Sequence, residues 1–187
     1  ELLFLAIYYY FSKNQKNTLF IFIMLLIFFR SPPAKQDIFE NEIISPSYGK
    51  IDSIEKIGSN VKINILLSVT DVHTQYIPIN GVVESTKYVK GRFNPFFLLK
   101  TEKTDYNERM YSTIKTKVGK ITIIQYAGML ARRIVNNLKT DQEVKEGYIF
   151  GMIKFSSRVD IIIPDSIKLN VKAGDTVEGG KTVIGLN

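Results

Sequence analysis

Apolar and polar positions divide this chain of 187 residues into two unlike parts. Residues 2–11 and 19–29 form two nearly unbroken apolar runs, separated by the polar and basic segment 12–18. At about 1.5 Å per helical residue each run reaches roughly half of the ~30 Å hydrocarbon thickness of a bilayer, so neither spans it alone. The pattern predicts a monotopic or re-entrant helical hairpin over residues 1–35. Its turn would hold Lys13 and Lys16 near head groups, with Arg30 and Lys35 marking the return to water. A secretory signal fits less well, because no small-residue cleavage site follows Phe29. A helical pair buried in a soluble domain also fits less well, because both runs are apolar all round. The chain starts at Glu1 rather than Met, and the expectation is a hairpin truncated at its start.

After "RSPP" the pattern changes to short β-branched runs broken by Gly, Pro, Asn and Asp. This predicts a mainly β (α+β) domain over residues 36–187, of β-sandwich or barrel-sandwich type with one or two short helices. Strands are expected over residues 43–45, 49–57, 61–67, 81–89, 111–118, 120–126, 151–163 and 182–185. One helix is expected over residues 131–138, with a start as early as Gly128. The tail "VKAGDTVEGGKTVIG" places two Gly turns between Val-rich strand ends, as in a compact β end piece.

The stretch "MIKFSSRVDIIIP", residues 152–164, carries a puzzle. Two hydroxyls and an arginine interrupt a segment otherwise suited to a core. Simple alternation answers with Ser156 and Arg158 outward and Phe155, Ser157 and Val159 inward.

Composition narrows the chemistry. Cys is absent, which excludes disulfides, thiolate nucleophiles and cysteine metal sites. The one histidine, His73, excludes a multi-imidazole metal site and is the first candidate for proton transfer near pH 7. No metal is expected. A net charge of +7 and a pI near 9.4 suit an anionic partner. The basic residues are dispersed and no nucleic-acid motif is present, so an anionic membrane surface is expected and nucleic acid is not.

Several stretches in order resemble the phosphatidylserine decarboxylase family, in its short bacterial and archaeal proenzyme form. "FFRSPP" is similar to the family's junction between membrane hairpin and enzyme, "SPSYGKI" to its "SPADGKV", and "ILLSVTDVHTQYIPINGVV" to its "FLSPLDVHVNRAPVSGKV". "YVKGRF", "NERM", "IIQYAGMLARRIV", "GYIFGMIKFSSRVDIIIP" and the C-terminal tail follow the same course, so the resemblance runs from about Leu19 to the last residue.

The resemblance implies a lyase that removes CO2 from the serine head group of a phospholipid, giving phosphatidylethanolamine from phosphatidylserine. It implies a pyruvoyl cofactor made from Ser157 by self-cleavage between Ser156 and Ser157, and a mature form of two chains from one precursor, open to homo-oligomerisation. Only a residue with a β-oxygen leaving group can be converted in this way. The family carries Gly before that serine; Ser156 is small enough for a strained turn. The pyruvoyl ketone would form a Schiff base with the substrate amine and act as the electron sink.

His73 is the candidate for both the proton transfer during cutting and the proton return to the substrate. Asp71 would orient the imidazole or cap the turn. Arg109, Arg132, Arg133 and Arg158 are the candidates for the lipid phosphate, Arg158 first because it adjoins the cleaved serine. The segment "AGMLARR" would open a helix able to face an anion. Phe96, Phe97, Leu98 and Leu99 would line an acyl groove or, more commonly for such a cluster, belong to the core.

The sequence departs from the family where an Asp, implicated with histidine in activating the serine, is replaced by Tyr48. A phenol does not carry a carboxylate's charge at neutral pH; Asp52, Asp71 and Asp160 are the candidates to supply it. Tyr48 is also the feature that would favour a degenerate, non-processing scaffold protein at the membrane. A biotinyl or lipoyl carrier is excluded, because no lysine stands in the context such a carrier needs.

Overall fold

The computed structural model describes residues 12–13, 15–37, 39, 41–94, 105–128, 133–153 and 157–187. They form one helix, α1 (Gln15–Phe28), and fourteen strands: β1 (Glu42–Ile44), β2 (Gly49–Ile57), β3 (Asn60–Leu67), β4 (Thr74–Tyr76), β5 (Gly81–Val89), β6 (Arg109–Thr116), β7 (Gly119–Tyr126), β8 (Ile134–Asn136), β9 (Glu143–Val144), β10 (Ile149–Ile153), β11 (Ser157–Pro164), β12 (Lys168–Leu169), β13 (Thr176–Val177) and β14 (Val183–Leu186). The mainly β class expected from the sequence is therefore present.

Eight strands form one sheet in the order β13-β2-β3-β11-β7-β6-β5-β9. Two smaller sheets, β1-β14-β12 and β4-β10-β8, supply the rest. Tight hairpins link β2 to β3 and β6 to β7, with Gly58 and Gly119 at positive φ in the turns. Gly49 begins β2 with φ +142°, and a Cβ there would run into the Leu66 carbonyl of β3, so close strand approach demands glycine at that position.

The large sheet is covered on one face by both small sheets. Ile161 and Ile163 of β11 pack with Ile43 of β1 and Ile184 of β14. Val159, one register step further along, packs with Ile77, Phe150 and Ile153 around β4 and β10. Each such side chain fully withdrawn from water contributes roughly 1.5–3 kcal/mol. The opposite face carries a smaller apolar group, Ile124 and Tyr126 with Leu66, Tyr111 and Ile162.

Three sequence expectations are corrected. The strand expected over residues 151–163 is two strands in different sheets, β10 and β11. The helix expected over residues 131–138 is not formed in its described part: Ile134–Asn136 is strand β8, paired with β10, and Leu138 is buried in the loop that follows. β-Branched Ile134 and Val135 prefer the pleated surface that β10 offers. The turn expected over residues 12–18 is helical at Ser12, Lys13 and from Gln15 on. The first apolar run, and Phe96 to Leu99, lie outside the described residues.

Arg158 is also corrected. Alternation placed it outward, yet it is fully buried, as are its neighbours Val159 and Asp160. β11 lies inside the large sheet between β3 and β7 with both faces covered, so alternation there separates two interiors rather than inside from outside.

Candidate active site

Two chain crossings run side by side. β3 ends at Leu67 in the large sheet, and after six intervening residues β4 begins at Thr74 in a small one. β10 ends at Ile153 beside β4, and β11 begins at Ser157 beside β3, with Ser157 paired to Leu67 and Met152 to Thr74. The loop that carries Asp71 and His73 thus runs beside the end of β10. A direct bond joins them: the Ile153 N–H donates to the His73 carbonyl (3.2 Å). Residues 73 and 157 are far apart in sequence, and this topology brings their segments together.

His73 is fully buried. Its Nδ1 lies 2.8 Å from the Asp71 carbonyl oxygen, which can only accept, so Nδ1 carries the proton and Nε2 presents its lone pair. Nε2 is buried and has no hydrogen-bond partner among the described residues. The imidazole lies against the Phe28 ring at the end of α1, with ring centroids 4.4 Å apart and planes inclined by 35°. Burial lowers its pKa from the usual 6.5, against the raising influence of the Asp71 carbonyl bond and the Asp71 charge, while Arg30 adds to the lowering. The result is a neutral imidazole with a basic nitrogen held away from water.

Asp71 holds the ring through its backbone. Its carboxylate instead accepts from the Ser68 N–H (2.7 Å), capping the turn of the same loop. Tyr48 packs against Tyr76, with ring centroids 6.3 Å apart. Asp52 is exposed. Asp160 is committed elsewhere: it pairs with Arg158 Nε (2.8 Å) and Lys62 (3.4 Å) on the sheet face opposite the two main core clusters.

The candidate arginines separate. Arg158 is enclosed by Asp160, Asp105 and the ring of Tyr126, whose centroid lies 4.0 Å from the guanidinium carbon. Arg109, half-buried on β6, pairs in register with Tyr126 and donates to the Tyr111 hydroxyl (2.8 Å) and the Asn107 carbonyl (3.1 Å). Register therefore brings Arg109 and Arg158 to either side of Tyr126. Arg133 is exposed just before β8. Ser156 and Arg132, with most of the expected "AGMLARR" helix start, lie outside the described residues.

Sequence reasoning missed the residues that support His73. Gln75 Nε2 donates to the His73 carbonyl (2.5 Å), Gln125 Nε2 to Gln75 Oε1 (2.9 Å), and Asn136 Nδ2 to Gln125 Oε1 (2.8 Å) and Ser112 Oγ (2.9 Å). This amide chain links β4, β7, β8 and β6, and it ends on the same carbonyl that receives Ile153. Its signal in the sequence is a glutamine set within apolar strands, "ITIIQY" and "HTQY". A buried amide needs partners, so each glutamine implied a network.

Comparison with known proteins gives a consistent result. The family model described as Phosphatidylserine decarboxylase matches residues 21–185. A relative from Carboxydothermus hydrogenoformans named phosphatidylserine decarboxylase proenzyme is 37% identical, the match covering 88% of this chain and 80% of the relative. One of the same name from Chlorobaculum parvum is 39% identical, covering 89% and 79%. A third, from Methanococcoides burtonii, is named putative archaetidylserine decarboxylase proenzyme and is 35% identical, covering 89% and 77%. With the match extending over both chain crossings and the histidine loop, this chain belongs to the phosphatidylserine decarboxylase family.

Proposed function

We propose that this chain is a phosphatidylserine decarboxylase proenzyme that cuts itself between residues 156 and 157. The observation that supports the reading is the bond from the Ile153 N–H to the His73 carbonyl, which ties the histidine loop to the end of β10, three residues before Ser156 in the chain. The buried, unpartnered Nε2 of His73 fits the same role: an orphaned basic nitrogen costs free energy unless something uses it.

In this scheme the Ser157 hydroxyl adds to the carbonyl of residue 156, and its proton passes to His73 Nε2. The C–N bond breaks and an ester forms. Loss of the α-proton of residue 157 then expels the residue 156 carboxylate, and water releases ammonia, leaving a pyruvoyl carbonyl at the head of β11. That carbonyl supplies the electron sink for loss of CO2 from the serine head group. His73 Nε2 holds the proton that is returned to the substrate carbon. The Asp71 carbonyl fixes the tautomer that leaves Nε2 free to do so.

Arg133, Arg132 and Arg109 are assigned to the lipid phosphate. Arg158, enclosed between two carboxylates, takes a different part and anchors the start of β11. The two small sheets over one face of the large one fit a barrel-sandwich-like arrangement.

α1 is about 21 Å long, and no helix among the described residues is long and apolar enough to cross a membrane. It exposes Leu19 to Ile27 and is flanked by Lys13, Lys16, Arg30 and Lys35, which supports a peripheral or monotopic seat on anionic lipid.

Intact mass of the purified protein with lipid bilayers tests the reading. Two fragments, residues 1–156 and 157–187 with a carbonyl at the new N-terminus, are expected, together with CO2 release from phosphatidylserine. Ser157→Ala abolishes both. A parent chain that stays whole and inactive overturns the proposal and leaves a scaffold role.

A further inference from the structure

The end of α1 is fastened to the histidine loop at successive positions. Phe28, 5% exposed, lies on the His73 ring, whereas Leu19 to Ile27 are each between 41% and 66% exposed. Arg30 Nη1 donates to the Ile27 carbonyl (2.5 Å), one of the acceptors a helix leaves free at its end, and Nη2 donates to the Thr70 carbonyl (3.0 Å). The Ser31 and Thr74 hydroxyls are 3.0 Å apart, and the Tyr76 hydroxyl donates to the Pro32 carbonyl (2.6 Å). Residues 28 to 32 are therefore tied to residues 70 to 76 at four positions. The helix is apolar on every side, so its own pattern does not select Phe28 for burial; the histidine loop does.

We propose that Phe28 is a positioning residue for His73, carried on a lipid-facing helix, so that the seating of α1 fixes the imidazole and keeps water from Nε2. This rests on the proposed role of His73 as proton carrier and of α1 as the membrane seat. Three groups act on the ring: Phe28 covers it, Asp71 holds Nδ1, and the Arg30 charge stands nearby. Of these, Phe28 supplies apolar cover on the ring face, and burial is the largest influence on His73. Without that ring, Nε2 meets water and the imidazole gains its proton at higher pH. A helix lifted from the bilayer would then loosen the imidazole and leave more of it protonated, and so unable to accept the serine proton, as pH falls toward 6.5.

Because His73 is the single histidine of the chain, its titration is read without ambiguity by NMR of histidine-labelled protein. The uncut Ser157→Ala chain, in bilayer nanodiscs of phosphatidylcholine and phosphatidylglycerol, is the sample. His73 is expected to titrate below 6.5, and adding Phe28→Ala moves the midpoint to higher pH, toward 6.5. Phe28→Leu, which keeps apolar cover, retains most of the displacement. In chains that keep Ser157, the pH at which cutting reaches half its maximal rate moves upward in parallel, which a merely structural role would not cause. Should the alanine variant not fold, ring-to-ring NOEs between Phe28 and His73 in the bilayer-bound parent decide the matter, and their absence overturns the proposal. An unchanged His73 midpoint in folded Phe28→Ala overturns it too. A parent that never cuts while the midpoint still moves upholds the contact and removes the proposed function instead.

Discussion

Arg158 Nε lies 2.8 Å from Asp160 Oδ1, two residues along one strand and on one face, with neither side chain exposed to solvent. Lys62 approaches the same carboxylate from β3, and Asp105 reaches the guanidinium from the loop before β6. Such a group contributes little net stability as a whole, because desolvation opposes the Coulomb gain, but breaking it is costly. Asp160→Asn leaves Arg158 and Lys62 short of negative charge and should destabilise the chain by about 3–5 kcal/mol. Urea unfolding of the Ser157→Ala protein measures this. Arg158→Lys should not rescue the site, since an ammonium does not span Asp105 and Asp160 as a planar fork does.

The buried histidine gives stability a direction with pH. Its folded pKa lies below the unfolded value near 6.5, so the unfolded chain binds the extra proton first as pH falls. The stability contribution is therefore complete above 6.5 and is lost as pH drops through the folded value. Thermal midpoints taken from pH 7.5 down to pH 5 should decline in the parent, and His73→Gln should remove that part of the slope.

Gln125 occupies the middle of the amide chain that ends on the His73 carbonyl. Gln125→Leu keeps the apolar bulk but removes the donor to Gln75 Oε1 and leaves Asn136 Nδ2 with Ser112 Oγ, a buried acceptor left unsatisfied costing about 1–3 kcal/mol. Cutting should slow together with stability, and the two are separated by measuring the rate well below the unfolding midpoint.

Tyr48 packs by its ring on Tyr76 rather than on the histidine. Tyr48→Phe should therefore leave the rate of self-cleavage within about twofold of the parent, the change in a neutral side-chain contact being a few tenths of a kcal/mol. A time course on denaturing gels suffices. A tenfold loss would show that the phenol oxygen itself takes part.

Lys13 and Lys16 stand at the start of the exposed apolar helix. Each basic residue near an anionic surface adds about 1 kcal/mol, so replacing either with Gln should weaken vesicle binding by about fivefold at low salt. Co-sedimentation with phosphatidylglycerol vesicles reports the loss, and neutral vesicles should show little of it.

Much of the β domain was legible because its long strands carry strong local signals. The run from Gly49 to Ile57, bounded by glycine on both sides, is a strand with the limits its pattern gave. The short strands β4, β8, β9, β12 and β13 were not legible, since two or three residues cannot show a period. Arg158 misled for a different reason: alternation tells faces apart but not which face meets water. His73 stands out in the sequence as the single histidine and within the family motif, but its contact with Phe28 leaves no sequence signal. Forty-five positions separate them, and only the path of the chain after α1 lays one ring on the other.

The strand that begins at residue 157 is hydrogen-bonded on both edges, to β3 and to β7, and the residues after it complete β1's sheet and add β13 beside β2. A nick in front of that strand would free no fragment. Both pieces would stay interlocked like laced fingers, with the same native mass and hydrodynamic radius as before, and would part only when the large sheet itself is taken down.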